Sequence, residues 1–286
     1  MVHFRALLLW CCGRQDTEDL SNPELSFPRS SVPPDQGISG VQISAGDETS
    51  LGPSVLQTKD LTTAPKLNLM PIESPALPPG HVLHLNAYGL EGSLRDKKDG
   101  ITYIGSEAAE GLNDFAIPLD QSLGRKHLLI KYNSSTRKYY LKDLGDGSGT
   151  FARIDIPILL KHGYIISFGE SHMVIHLSGE FASPNLTVKF LDGPKADQSF
   201  SYHPEDKPVL IGRMADCHIK FDDNSLSRYQ CSLMFVEGKG WFVMDGDGKK
   251  CSTNGTWLFV DELFEIFNNM VFKAGQTLFQ AQYEEP

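Results

Sequence analysis

Three short motifs occur twice in this chain, in one order and at nearly one spacing. Ile104-Gly105-Ser106 is echoed by Ile211-Gly212-Arg213 (212 − 105 = 107), Gly124-Arg125-Lys126-His127 by Ser227-Arg228-Tyr229-Gln230 (227 − 124 = 103), and Ser148-Gly149-Thr150 by Asn254-Gly255-Thr256 (254 − 148 = 106). Ordered anchors at a shared offset mean that one domain type is present twice. The 286 residues are enough for two domains, each burying a core of its own.

Between the anchors the sequence consists of short apolar runs broken by Gly, Asn and Asp. The first copy reads HVLHLNAYG, ITYIGS, HLLIKY, RKYYLKDL, YIISFG and HMVIHL, and the second LTVKFL, SFSYH, VLIGR, CHIKF, CSLMFV, GWFVMD, GTWLFV and TLFQAQ. Alternation of apolar and polar residues over such short stretches makes strands. Helical periodicity is nearly absent, the one candidate turn being Asp261 to Phe267. The expected fold is all-β, two tandem sandwiches. Before His81 the chain is rich in Ser, Pro, Asp, Gly and Thr, with ten of the 17 prolines and no sustained apolar period. Too little surface can be buried there to offset ordering, so residues 1–80 are expected to form a disordered arm. The expected domains are residues 81–180 and 184–286.

A net charge of −10 and a pI near 5.3 argue against general affinity for nucleic acid or anionic membrane. No apolar run approaches the length of a membrane span, so no integral insertion is expected. The cysteines Cys11, Cys12, Cys217, Cys231 and Cys251 are odd in number and lack paired or zinc-type spacing, which favours a reducing, intracellular setting, nuclear or cytoplasmic. The start, MVHFRALLLWCCGR, is too brief in its apolar run for a secretory signal and lacks a clean cleavage site. Cys11 and Cys12 are palmitoylation candidates, but Val2 removes the myristoyl group that would usually assist them.

Loops at one end of a sandwich converge in space. In the second copy this would bring together Arg213, Ser225 or Ser227, Arg228, Lys249, Lys250, Thr253 and Asn254. A guanidinium fork, adaptable hydroxyls and outward-facing amides form an oxyanion receptor with no catalytic character. Gly255 permits the positive φ that turns the loop CSTNGTW at its tip, and Thr256 and Trp257 then resume a strand.

The series IGR, SLSRYQ and STNGTW, together with the turn Ala215-Asp216-Cys217-His218-Ile219, resembles the forkhead-associated (FHA) domain, a phosphothreonine-binding sandwich of about eleven strands. The likeness runs from about Asn185 to Gln282, and a weaker one from about His81 to His176. It implies that Arg213 and Ser227 bind phosphate after the structural Gly212, that Thr253 adds a hydroxyl or amide contact, and that Asn254 holds the peptide main chain ahead of Gly255 and Thr256. Arg228 would be a polar peptide contact, and Lys249 or Lys250 would read acidic residues beside the phosphothreonine. Two departures stand out: Gln230 where the family has a buttressing histidine, and Phe259-Val260 where an Asn-Gly turn is usual. The first copy departs further, with Ser106, Gly124 and Ser148 at the arginine, serine and asparagine positions, although His127 is kept. Hydrogen bonds to charged groups are worth roughly 1.5–3 kcal/mol each, so this copy is expected to be blind to phosphate.

Other chemistries fit poorly. Asp245-Gly246-Asp247-Gly248 begins like a calcium loop, but Lys249 and Lys250 occupy positions that need a ligand and a glycine. Gly145 to Gly149 lacks the Lys-Ser or Lys-Thr of a nucleotide loop. His81 and His84 fall on opposite faces of a strand, and Cys231 and Cys251 lack a nucleophile's partners. Glycan acceptor patterns begin at Asn133, Asn185 and Asn254, and a glycan on Asn254 would obstruct the site. The expected protein is a non-enzymatic adaptor without cofactor or metal, docking a phosphothreonine-containing partner in kinase signalling. The alternative is a structural protein whose sandwiches bind partners or each other independently of phosphorylation.

Overall fold

A computed structural model describes residues 63–95 and 97–284. The chain begins there with β1 (Lys66–Glu73), β2 (Leu83–Asn86), β3 (Gly89–Leu90), β4 (Ile101–Gly105), β5 (Phe115–Ala116), β6 (Leu128–Asn133), β7 (Lys138–Asp143) and β8 (Thr150–Arg153). It continues with β9 (Ile158–Leu159), β10 (Ile165–Phe168), β11 (Ser171–Glu180), β12 (Ser183–Phe190), β13 (Ser199–Tyr202), β14 (Val209–Gly212), β15 (Ile219–Lys220), β16 (Cys231–Val236) and β17 (Gly240–Asp245). The last strands are β18 (Trp257–Phe259), β19 (Phe264–Glu265), β20 (Val271–Ala274) and β21 (Thr277–Glu284). The fold is all-β, as the alternation predicts.

These strands form two compact units that differ from the contiguous blocks 81–180 and 184–286. One, the inner unit, holds 156–163 and 167–256; the outer unit holds the described residues up to 155, then 164–166 and those from 257 on. The inner unit is therefore almost one unbroken stretch of chain, inserted in sequence between the two parts of the outer one. Within it the hydrogen-bonded strand orders are β13-β12-β11-β10 and β15-β14-β16-β17-β9. Within the outer unit they are β18-β8-β20-β21-β1-β2-β3 and β19-β7-β6-β4-β5. In each unit the first strand of one copy pairs with the last strand of the other: β12 with β11 (Val188↔Ile175) and β1 with β21 (Leu69↔Ala281).

A short connection explains the exchange. Only Phe181 and Ala182 separate the paired residues Glu180 and Ser183, so β11 and β12 close as a two-residue hairpin. Such hairpins form locally, and consecutive strands usually pair. With β11 taken, β1 pairs with β21. The outer core packs Leu67, Leu69, Leu85, Ile104, Leu128 and Leu141 against Phe272 and Phe279, whose rings stack 5.2 Å apart. The inner core centres on Phe168, Phe190 and Phe221, with ring centroids 5.6–6.4 Å apart.

Two expectations change. The arm does not extend to residue 80, because Leu67 and Leu69 are fully buried on β1 and Ser74 Oγ accepts the amides of Ala76 and Leu77 at 3.1 and 3.0 Å. Pro71 falls where the β1–β21 register shifts, so it interrupts no regular ladder. Asp261 to Phe267 is extended rather than helical, since Phe264 and Glu265 pair with Leu141 and Tyr140. Cys11, Cys12 and the arm up to residue 62 lie outside the described residues.

Candidate functional site

The proposed rim lies wholly within the inner unit, on three loops that follow β14, precede β16 and follow β17. After β14 the Arg213 amide donates to the carbonyls of Ser227 (3.3 Å) and Arg228 (3.1 Å), which fastens the first loop to the second. The approach is close enough that a Cβ on Gly212 would overlap the Arg228 carbonyl oxygen. The Arg213 side chain is exposed and has no ion-pair partner among the described residues.

The second and third loops meet at Ser227. Its Oγ accepts the Thr253 amide at 2.7 Å and donates to Thr253 Oγ1 at 3.2 Å. Asn254 Nδ2 donates to the Ser225 carbonyl at 3.1 Å, and Gly255 turns the loop at φ 75°. The sequence-predicted Arg213, Ser225, Ser227, Thr253 and Asn254 are thus brought together, and Arg228 stands exposed beside them. Lys249 and Lys250 are exposed at the start of the third loop, their amides donating to Asp247 Oδ1 at 2.9 and 2.8 Å. No contact joins their side chains to the Ser227–Thr253 pair.

Gln230 is completely buried beneath this junction. Its Oε1 accepts the Ser227 amide at 3.2 Å, and its Nε2 donates to the Gly255 carbonyl at 3.0 Å and to Thr256 Oγ1 at 3.3 Å.

Residue type alone does not reveal the part played by Asp245. One of its carboxylate oxygens accepts Ser252 Oγ (2.6 Å) and Thr256 Oγ1 (2.7 Å), and the other the Ser252 amide (2.8 Å). Asp245 and Asp247 therefore organise the third loop from within, and no cluster of three or more metal-type side chains exists among the described residues. A second unforeseen brace is Tyr229, whose hydroxyl donates to Asp216 at 2.8 Å and whose pKa is pushed up to about 12, chiefly by that bond. The tie pins the turn 215–219 that follows Arg213. Cys231 is buried and its thiol pKa is raised by desolvation, so it is an inert core group.

The matching rim of the first copy is closed. Ser106 Oγ donates to the Gly124 carbonyl at 3.1 Å, and Arg125 is engaged by Glu107 at 3.3 Å. Lys126 Nζ lies 3.5 Å from the centroid of the Tyr103 ring, with its pKa lowered by desolvation and then by Arg95. Leu123 bridges Gly147, and Asp146 sits so close to Gly124 that a Cβ there would overlap its carboxylate carbon. A negative side chain therefore fills the space that the Ser227 side chain occupies in the other copy.

Short strands gathered into a β-sandwich, with polar loops meeting at one end, define a class of β-sandwich interaction module. The FHA domain family model matches the chain twice, over residues 102–169 and 209–275, and the chain is a tandem FHA-domain protein. FHA domains generally mediate phosphothreonine-dependent protein interactions and are not catalytic. Each matched stretch straddles the strand exchange, since 156–163 and 167–169 fold into the inner unit and 257–275 into the outer one. No curated protein matches the chain. Among the described residues no helix is long and apolar enough to cross a membrane.

Proposed function

We propose that the inner unit docks a phosphothreonine segment of a partner protein, and that the chain is an intracellular adaptor which delivers that partner in response to kinase activity. The observation that carries this reading is the junction of Ser227 with Thr253 beside an exposed Arg213. Arg213 supplies the bidentate charge, Ser227 and Thr253 hydroxyl contacts, and Asn254 orientation of the peptide main chain. Arg228, Lys249 and Lys250 favour acidic neighbours of the phosphothreonine. Phosphate carries nearly two charges on a tetrahedral group, so Asp or Glu in its place binds poorly. The first copy contributes strands rather than a second phosphate site.

The test is titration of the full chain with a degenerate phosphothreonine peptide library, beside Arg213→Ala. Loss of charge-assisted bonds worth roughly 1.5–3 kcal/mol each weakens binding by about 10- to 100-fold. An Arg213→Ala variant that binds like the unaltered protein would refute the proposal.

A further inference from the structure

We infer that Gln230 is the positioning residue that clamps the two phosphate-facing loops together, and that it makes this clamp insensitive to pH where a histidine would titrate. The inference rests on the reading of the inner rim as a phosphothreonine site.

The chain contains both solutions to the same problem, one in each copy. In the outer unit His127 Nδ1 accepts the Gly124 amide at 3.1 Å, equivalent to the bond from the Ser227 amide to Gln230 Oε1. The His127 ring is fully buried, and its Nε2 has no hydrogen-bond partner among the described residues, lying 3.9 Å from Asp143. His127 therefore braces only its own turn. Gln230 reaches further, because its amide nitrogen donates to the Gly255 carbonyl and to Thr256 Oγ1 on the other loop. One side chain thus holds the amide of the residue assigned to phosphate and the carbonyl at the loop tip that carries Thr253 and Asn254.

Charge state separates the two devices. A neutral imidazole accepts through one nitrogen and donates through the other, but a protonated one only donates, so it would repel the Ser227 N–H. A primary amide always presents one acceptor and one donor edge. The titratable groups around Gln230 are Asp245 on β17, which accepts from Thr256 Oγ1, and Cys231 and Tyr229 near it in sequence. Thiol and phenol both stay protonated at neutral and acidic pH: burial raises the pKa of Cys231, and the bond to Asp216 raises that of Tyr229.

The experiment compares full-length protein with Gln230→His, Gln230→Ala and Arg213→Ala, using the tightest peptide recovered from a degenerate phosphothreonine library, between pH 8 and pH 5.5. The peptide phosphate itself titrates near pH 6, so the informative quantity is the ratio of each variant's Kd to that of the unaltered protein at the same pH. Gln230→His should bind within a few-fold at pH 8, and its ratio should then rise as the introduced ring protonates, reaching about tenfold one pH unit below the ring's own midpoint. The ring's own titration, followed by NMR, gives the midpoint the ratio must track. Gln230→Ala should lose at least tenfold at every pH. Exchange protection of the Ser227 amide, corrected for intrinsic rates and measured without peptide, should stay constant in the unaltered protein and fall on ring protonation in Gln230→His. Overturning results are Gln230→Ala binding within twofold of the unaltered protein, or a ring that protonates with no change in either affinity ratio or Ser227 protection. Loss of binding in Arg213→Ala alongside either result leaves the phosphothreonine reading standing and removes only the inference. Binding that ignores Arg213 removes the reading, while Ser227 protection still decides the role of Gln230.

Discussion

The strand exchange predicts that the cut suggested by the repeat, residues 184–286, is the wrong one for isolating the inner sandwich, and that residues 156–256 are the right one. The shorter piece keeps Ile158, Leu160, Phe168, Met173 and Ile175, all buried in the inner unit. The longer piece loses them and must close its sandwich, if at all, with its own β19 to β21. At the constant offset of 106 residues this puts Ala274 where Phe168 belongs, Ala281 in place of Ile175, and Phe279 in place of Met173. Phe168 stands 5.7 Å from Phe221 and 6.4 Å from Phe190, ring centroid to centroid, so its replacement opens the middle of the aromatic cluster. Truncations of this kind cost about 3–5 kcal/mol for Phe→Ala and about 2–5 for Ile→Ala. Overpacking at the methionine position adds about 1–3 kcal/mol. A deficit of about 6–13 kcal/mol is comparable with the whole stability of a small domain, about 5–15 kcal/mol. With a urea slope of about 1–3 kcal/mol/M, 184–286 should be unfolded or have a midpoint at least about 2 M lower. Trp241 is the reporter: it is buried in the inner unit, its Nε1 donates to the Pro184 carbonyl at 2.8 Å, and it is the sole tryptophan of 156–256. A fluorescence-monitored transition for 184–286 as cooperative as that of 156–256, at an equal or higher midpoint, would refute the reasoning.

Three further outcomes are expected. Lys273 lies 5.1 and 5.7 Å from the Phe151 and Trp257 ring centroids, and burial lowers its pKa; below that lowered value the charge is buried at full cost, and the cost is relieved as pH rises from there toward 10.5. Lys273→Met should therefore raise Tm at pH 7, by roughly 2–4 °C for each kcal/mol recovered, with the gain shrinking at alkaline pH; a fall in Tm would mean that the ring contacts outweigh desolvation. Among the described cysteines, a brief iodoacetamide pulse read by peptide mass mapping should label the exposed Cys251 well ahead of Cys217 and Cys231, both of whose thiol pKa values are raised by burial. Gly124→Ser, although it restores the serine of the second copy, should lower Tm and create no peptide binding in an Arg213→Ala background, because its Cβ would collide with Asp146; any recovered binding would contradict the closed rim.

How much of this was legible depended on the range of the interactions involved. Strands and the repeat can be read because alternation is a local property, and the residues around Ser227 and Thr253 because each lies in a motif with its own spacing. β1 was hidden, since Leu67 and Leu69 give only two beats of the period amid prolines, and their burial is completed by β21, more than two hundred residues away. The exchange is a different case. YIISFGESHMVI and MVFKAGQTLFQA align without a gap, so either can serve as the closing segment of either copy as far as pattern goes. What discriminates is a two-residue hairpin at Phe181-Ala182 and the fit of particular side chains, Phe168 against Phe190 and Phe221 in one core, Ala281 against Leu69 in the other. Gln230 belongs with these, because compared with a family histidine it reads as a defect, and only the positions of Ser227 and Gly255 on either side of its amide turn that defect into a span between loops. A residue that departs from its family's choice must therefore be judged by the partners it reaches, and here those partners lie on two loops whereas His127 reaches only one.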